Sequence, residues 1–312
     1  MTCNTINHIP VFFSTDDNYI PYLDVALRSL IANASKNYEY RIVILNTGLD
    51  TENIKRIKEN ERAGFAIEFF DISEYVEKIK SRFKNVYHFS VVTYYRLFIA
   101  SLFPQYKRIV YLDCDVVVTG DISELYFANT GDSILGAVAD DHVRNTPEFK
   151  VYAKKAIGVD PDTYINAGVL VINLEEFRKN GIKEKFIDLI TEYDFDLLDP
   201  DQAYLNYLCR GRISLLPCSW NCVPHDTPSE CEKNIIHFAL YKKPWQYDDV
   251  IYGDLFWLYA KDSPFYPIIM QRKSEFGEEE IAKADAMAKE IIEHAKEIVV
   301  SDYTFVKMLN GR

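Results

Sequence analysis

The chain has 312 residues, 48% of them hydrophobic, enough to fill the core of one large domain or two small ones and to exclude disorder as the main state. With only 12 Gly and 12 Pro, collagen-like and low-complexity organisation are excluded as well. Thirty-five Lys+Arg against 47 Asp+Glu give a net charge of −12, which repels polyanions unless a local patch or a bound cation reverses the sign, so nucleic acid is not expected as a partner.

The first half alternates strand-like and helix-like segments. Ile9–Ser14 is a short buried strand, and Tyr22–Ile31 places Leu23, Ala26, Leu27, Leu30 and Ile31 at helical spacing. Arg41–Asn46 is a second strand with Gly48 as the turn behind it. A charged helix runs from Thr51 to about Arg62, followed by a third strand at Phe65–Phe70. Tyr94–Phe103 reads as a helix stopped before Pro104, and Arg108–Leu112 as a fourth strand. Such alternation predicts an α/β fold with a largely parallel sheet covered on both faces. Further strands are expected at Ile134–Ala139 and Gly168–Asn173, with a polar helical insertion around Asp141–Ile157 between them. Gly277–Val300 carries an apolar stripe (Ile281, Ala284, Ala288, Ile291, Ile292, Ala295, Ile298, Val299) that suits packing on the domain or in an oligomer. Its surroundings are slightly acidic, which makes peripheral docking on anionic lipid the weaker reading.

Cys3, Cys114, Cys209, Cys218, Cys222 and Cys231 are scattered without a CxxC pair, so reduced thiols are expected rather than a disulfide framework or a zinc site. The amino terminus lacks a basic region and a long apolar run, and no stretch reaches the roughly 18 apolar residues of a membrane span. Both features predict a cytoplasmic chain.

The strongest local signal is Val110-Tyr111-Leu112-Asp113-Cys114-Asp115-Val116-Val117-Val118. In an extended segment alternate side chains share a face, so Asp113 and Asp115 can converge on one hard divalent cation. Unpaired buried carboxylates are costly, which calls for a cation or for a place at the carboxyl edge of the sheet, where open α/β sheets bind ligands. Taken alone, Asp-x-Asp also suits a strand end that caps the turn toward Gly120. Two enzyme classes use the motif. Haloacid-dehalogenase-type phosphatases employ the first Asp as nucleophile but normally place it on the first strand. Nucleotide-sugar transferases place it after an amino-terminal α/β half, as here.

Ser14-Thr15-Asp16-Asp17-Asn18-Tyr19, Thr93-Tyr94-Tyr95-Arg96-Leu97, Tyr111 to Asp115, Asn166-Ala167-Gly168-Val169, Asp201-Gln202 and His237 followed by Lys243-Pro244-Trp245 occur in the order seen in glycosyltransferase family 8, which the chain resembles over roughly residues 8 to 260. The resemblance implies a GT-A fold, a single Rossmann-like domain over residues 1–265 with a helical extension over 266–312. It also implies a UDP-hexose donor, a saccharide or glycoconjugate acceptor and retention of configuration. Asp113, Asp115 and His237 would then hold Mn²⁺, with Mg²⁺ as the substitute, and Lys243 would neutralise the diphosphate. Asp16 and Asn18 look like uracil and ribose contacts, and Cys114 falls among the donor contacts between the two carboxylates. Arg96, Asp140, Asn166, Ala167, Asp201 and Gln202 look like the surroundings of the hexose. Gln202, Asp201 and Asp140 are the candidate catalytic groups; Gln202 is a neutral amide and a poor nucleophile, which favours same-face attack over a covalent intermediate. One departure stands out: Leu240 occupies a place, three residues after His237, where family members often have Gly. The acceptor is expected to meet Asp141–Thr163 and Trp220–Lys233.

Overall fold

The computed structural model describes residues 8–80, 91–224, 232–240 and 242–309. The first seven residues, Cys3, Cys231 and part of the Trp220–Lys233 acceptor region lie outside the described residues. The elements in order are β1 (His8–Ser14), α1 (Ile20–Asn33), β2 (Glu39–Asn46), α2 (Thr51–Lys58), β3 (Phe65–Asp71), α3 (Ser73–Lys80), α4 (Ile99–Leu102), β4 (Arg108–Leu112), β5 (Val116–Val118), α5 (Ile122–Tyr126), β6 (Leu135–Ala139), α6 (Asp141–Asn145) and α7 (Pro147–Tyr152). There follow β7 (Ile165–Asn173), α8 (Leu174–Lys179), α9 (Ile182–Glu192), α10 (Pro200–Leu208), β8 (Ile213–Leu215), β9 (Ile235–His237), α11 (Gly253–Ala260), α12 (Tyr266–Glu275), α13 (Glu278–Val300) and α14 (Phe305–Leu309).

A seven-stranded sheet has the order β3-β2-β1-β4-β7-β6-β8, and only β7 runs against the rest. Alternation along β1 sends Phe12 into the core on one face and Ile9, Val11 and Phe13 into the core on the other, so both faces are covered. The mostly parallel α/β sheet is therefore as the sequence predicts. The expected Tyr94–Phe103 helix is different: Val91–Leu97 forms a 3₁₀ segment that passes into the short α4. Adjacent β-branched Val91, Val92 and Thr93 disfavour α-helix, and the tighter winding accompanies an Arg96 side chain drawn inward.

Three helix starts order the neighbouring loops: Pro21 sits in the first turn of α1, Asp140 caps α6 by accepting from Val143 N at 3.0 Å, and Pro200 opens α10. A separate two-stranded ribbon pairs β5 with β9, setting Val116 opposite His237. The carboxyl-terminal helices pack on this body. Ala295 and Ile298 of α13 and Phe305 and Leu309 of α14 are buried, with the Phe305 ring 4.5 Å from Phe195 and 4.9 Å from Tyr207. The stripe on α13 is thus used at least in part for packing within the chain. Among the described residues no helix is long and apolar enough to cross a membrane.

Candidate active site at the carboxyl edge of the sheet

The chain leaves β4 at Leu112, turns through Asp113-Cys114-Asp115 and enters β5. The turn is pinned at two points: Asp113 N donates to Gly168 O at 2.8 Å, and Phe238 N donates to Asp115 O at 2.9 Å. Cys114 is buried and directs its thiol to Ser14 O at 3.2 Å, tying the turn to the end of β1. Of the three consecutive residues it is the one whose side chain faces the core; burial pushes its thiol well above the usual range.

Ribbon pairing carries His237 to the two carboxylates. Its Nε2 lies 3.2 Å from Asp115 Oδ1 and 4.0 Å from Asp113 Oδ2, and one ligand atom from each of the three residues lies within 4.8 Å of the others. The role of Nδ1 follows from the backbone. Gly168 N–H can only donate and points at Asn166 Oδ1 at 2.9 Å, so the Asn166 amide oxygen faces it. Asn221 must then donate its Nδ2–H to that oxygen, at 2.9 Å, which turns Asn221 Oδ1 toward His237 Nδ1, also at 2.9 Å. Nδ1 therefore bears a hydrogen, which leaves Nε2, on the side of the carboxylates, as the nitrogen available to ligate a metal. Two carboxylate oxygens and one imidazole nitrogen suit a divalent ion. Space for the group is preserved by Gly168: a Cβ there would fall 2.2 Å from His237 Cε1 and 2.8 Å from Asp113 Oδ2.

Charge is balanced around this set. Arg96, 4% exposed, donates to Asp113 Oδ1 at 2.8 Å, to Ala167 O, and through Nε pairs with Asp201 Oδ2 at 3.1 Å. Its guanidinium lies 4.4 Å from the centre of the Tyr111 ring, whose hydroxyl donates to Asp113 Oδ1 at 3.1 Å. Burial opposes the Arg96 charge, but Asp113, Tyr111 and Asp201 outweigh it and raise the pKa. Lys243 is buried and donates to Asp115 Oδ2 at 2.5 Å and to Phe238 O. Burial would raise the Asp115 pKa; Lys243 and His237 overcome it and hold the carboxyl well below its usual range.

On the other side of Asn166 lies a second polar group. Asp140 Oδ2 accepts from Asn166 Nδ2 at 3.0 Å and from Gln202 Nε2 at 3.1 Å, while Ala167 N donates to Gln202 Oε1 at 2.9 Å. Asp201 is held by Arg96, and burial raises its carboxyl pKa while Arg96 opposes that shift. Asp16 and Asn18 lie just past β1, neighbour of β4 in the sheet: Asp16 Oδ1 accepts from Tyr19 N at 3.0 Å, and Asn18 is exposed, with its carbonyl oxygen accepting from Arg272 Nη1 at 2.5 Å. The structure thus brings Asp113, Asp115, His237, Lys243, Arg96, Asp201, Asn166, Ala167, Asp140 and Gln202 into one connected network, with Asp16 and Asn18 on the adjoining loop. Sequence reasoning missed Asn221 and left Gly168 without a role. A glycine inside a strand is a recognised sign of close approach and marked Gly168, whereas Asn221 left no comparable signal.

Asn221→Ala is expected to free the His237 ring and lower divalent-metal affinity about 10- to 100-fold while the fold persists. Isothermal titration with Mn²⁺ checks this. Leu240 and Lys242 both adopt left-handed backbone, with φ of 58° and 53°. For a non-glycine residue this costs on the order of 1–2 kcal/mol. Leu240→Gly should therefore hold or raise resistance to urea, by up to about 1 kcal/mol, because the glycine's larger unfolded-state entropy offsets part of the relieved strain.

An open, mostly parallel sheet with two carboxylates and a histidine gathered at its carboxyl edge is the ligand-binding arrangement of α/β enzymes, here with a set of side chains that could hold a divalent ion. The chain belongs to glycosyltransferase family 8, whose family description (Glycosyl transferase family 8) matches residues 10–249. It is 30% identical over 256 residues to General stress protein A of Bacillus subtilis, covering 74% of this chain and 85% of that one. It is 26% identical over 253 residues to a lipopolysaccharide 1,2-glucosyltransferase of Escherichia coli, covering 75% and 72%. Among solved structures, the galactosyltransferase LgtC in complex with donor and acceptor sugar analogs superimposes with a TM-score of 0.66 at 26% identity, over 82% of this chain and 96% of that one. The bifunctional glycosyltransferase WbbM gives a TM-score of 0.73 at 25% identity over 88% of this chain, which spans only 53% of WbbM. The protein is a glycosyltransferase with a GT-A fold, and the phosphatase reading of Asp113 falls away.

Proposed function

We propose that the chain transfers a hexose, glucose or galactose, from a UDP-sugar to a hydroxyl of a saccharide or glycoconjugate with retention of configuration. The observation that carries this is the convergence of Asp113, Asp115 and His237 within 4.8 Å beside Lys243 and the Arg96–Gln202 network. The names of the galactosyl- and glucosyltransferase relatives support a hexose donor, and that of the lipopolysaccharide enzyme supports a glycoconjugate acceptor.

Asp113, Asp115 and His237 would hold Mn²⁺, with Mg²⁺ as a substitute. Bound there, the ion supplies Lewis-acid stabilisation of charge developing on the leaving diphosphate. Lys243, held by Asp115 and Phe238 O, adds fixed positive charge without needing to move. Asp16 and Asn18 suit the uracil and ribose. Asn166, Asp140, Asp201 and Gln202 suit the hexose hydroxyls. Each carboxylate on that side is already engaged: Asp201 with Arg96, and Asp140 with Val143 N, Asn166 and Gln202. Groups so engaged are poor nucleophiles, which supports same-face attack.

The test is UDP release from UDP-glucose, UDP-galactose and UDP-N-acetylglucosamine with and without Mn²⁺. Turnover of one UDP-hexose that requires divalent metal and is lost in Asp113→Ala is expected. Turnover of equal rate in a chelator would overturn the metal assignment, and binding without transfer or hydrolysis would make the chain a nucleotide-sugar-binding module.

A further inference from the structure

Asp199 directly precedes α10 and lies against the Gln202 amide. Its carboxylate accepts three hydrogen bonds: from Tyr152 OH to Oδ1 at 3.0 Å, from Tyr164 OH to Oδ2 at 2.7 Å, and from Gln202 Nε2 to Oδ2 at 2.8 Å. Tyr152 and Tyr164 are buried, and burial pushes both phenols well above their usual range, so they remain protonated donors. The consequence for Gln202 is an accounting of its amide. Both N–H groups are used on carboxylates, Asp140 and Asp199, and one oxygen lone pair is used by Ala167 N–H. Only the second lone pair of Oε1 is left to face a substrate. A flipped amide would set Oε1 against two carboxylate oxygens and Nε2 against a backbone N–H.

We infer that Asp199 is a positioning residue for the transfer reaction: with Asp140 and Ala167 N–H it locks the Gln202 amide so that oxygen, and not nitrogen, is offered to the donor hexose. The inference rests on the reading that Gln202 faces that hexose. An acceptor oxygen suits a sugar carbon gaining positive character, whereas an N–H there would oppose it. Of Gln202's two donor bonds the one to Asp199 is the shorter, and Asp140 divides Oδ2 between Asn166 and Gln202.

The lock has a protonation state. Burial raises the Asp199 carboxyl to about 7; Asp140 and Asp201 push in the same direction, while the hydrogen bonds from Tyr164 and Tyr152 oppose. Asp140, Asp201, Tyr152 and Tyr164 are the titratable groups that act on it, and Asp196, paired with His294 at 2.7 Å, acts on Tyr152. The ionised carboxylate is the stronger acceptor, so kcat should rise with pH through about 7.

The experiment is steady-state kinetics on the full chain with the UDP-hexose that wild type turns over, in saturating Mn²⁺. Asp199→Asn keeps the volume and should lower kcat about 10- to 100-fold while donor KM shifts less than about threefold, the signature of a misoriented group. Its kcat should also lose the rise near neutral pH. Tyr164→Phe removes a donor that favours the carboxylate and should move the wild-type rise to higher pH, a shift that a structural role would not produce. An Asp199→Asn enzyme with kcat within about twofold of wild type, or one that keeps the rise, overturns the inference. If the Asn variant does not fold, an unmoved profile in Tyr164→Phe overturns it. Failure of wild type to turn over any UDP-hexose would instead overturn the reading on which it rests.

Discussion

Asp115→Asn is expected to reduce transfer by at least about 10³-fold, the loss of several kcal/mol of transition-state charge stabilisation. The substitution is isosteric, so its effect is electrical. Asp115 Oδ1 lies 3.2 Å from His237 Nε2 and Oδ2 receives Lys243 at 2.5 Å; an amide can satisfy at most one of these as an acceptor and carries no charge for either. Buried Lys243 is left with Phe238 O as its remaining hydrogen-bond partner among the described residues. Breaking one side of such a buried pair costs about 3–5 kcal/mol of stability. The pH dependence follows from the direction of the shift. The folded-state pKa of Asp115 is depressed, so its contribution to stability is fully present above the unfolded carboxyl value, near about 3.9, and is lost only as pH falls toward the folded value. The stability deficit of the variant should therefore be flat between about pH 6 and 8. A second change separates the two effects: Asp115→Asn with Lys243→Met removes the stranded ammonium and should recover much of the stability while activity stays lost. Urea titration and UDP release measure the two quantities. Recovery of activity in the double variant would show that the stranded charge, and not the missing carboxylate, had stopped the reaction.

The parts of this site that could be read in the sequence are those whose signal is local. Asp113 and Asp115 stand out because charges inside an apolar run need a reason, whereas His237 and Lys243 are marked only through the ordered motifs of the family 8 resemblance. The strands β1 to β4 could be read because each is a short apolar run between turn residues. The reversal of β7 could not: a strand buried on both faces has the same apolar run in either direction. Neither could the three-residue strands β5 and β9, which are too short for periodicity yet place His237 beside Asp115. Asn221 and Asp199 act through hydrogen bonds to Asn166, 55 positions away, and to Tyr152, 47 away. Asn221 stands in a Cys- and Pro-bearing stretch of sequence with no periodic pattern, and Asp199 resembles an ordinary helix-start residue before Pro200. Polar residues in such places are usually caps and turns, so local pattern assigns them the common role.

Gly168→Ala should be nearly as damaging as loss of a ligand, although it adds only a methyl group. The added Cβ would meet His237 Cε1 at 2.2 Å, Asp113 Oδ2 at 2.8 Å and His237 Nδ1 at 2.9 Å, all shorter than side-chain atoms tolerate. The strand cannot retreat. β7 is hydrogen-bonded to β4 on one side and β6 on the other, and Val169, Leu170 and Val171 are buried on both faces. Something in the site must move instead. The Asp113 carboxylate is fastened by Arg96 and Tyr111, and the turn that carries it is pinned by Asp113 N to Gly168 O. The His237 ring is the freer of the two, held at Nδ1 by Asn221 alone, and will be pushed off both Asn221 and the carboxylates. Overpacking of this kind costs about 1–3 kcal/mol, so the variant should fold. Its Mn²⁺ affinity should fall at least about 10-fold and its turnover at least about 100-fold, in keeping with a misplacement on the order of 1 Å at a catalytic centre. Calorimetric metal titration and UDP release on the folded variant decide the matter. Wild-type affinity in Gly168→Ala would mean that the ring can turn aside and still ligate, and that the space kept by Gly168 is not required by the site.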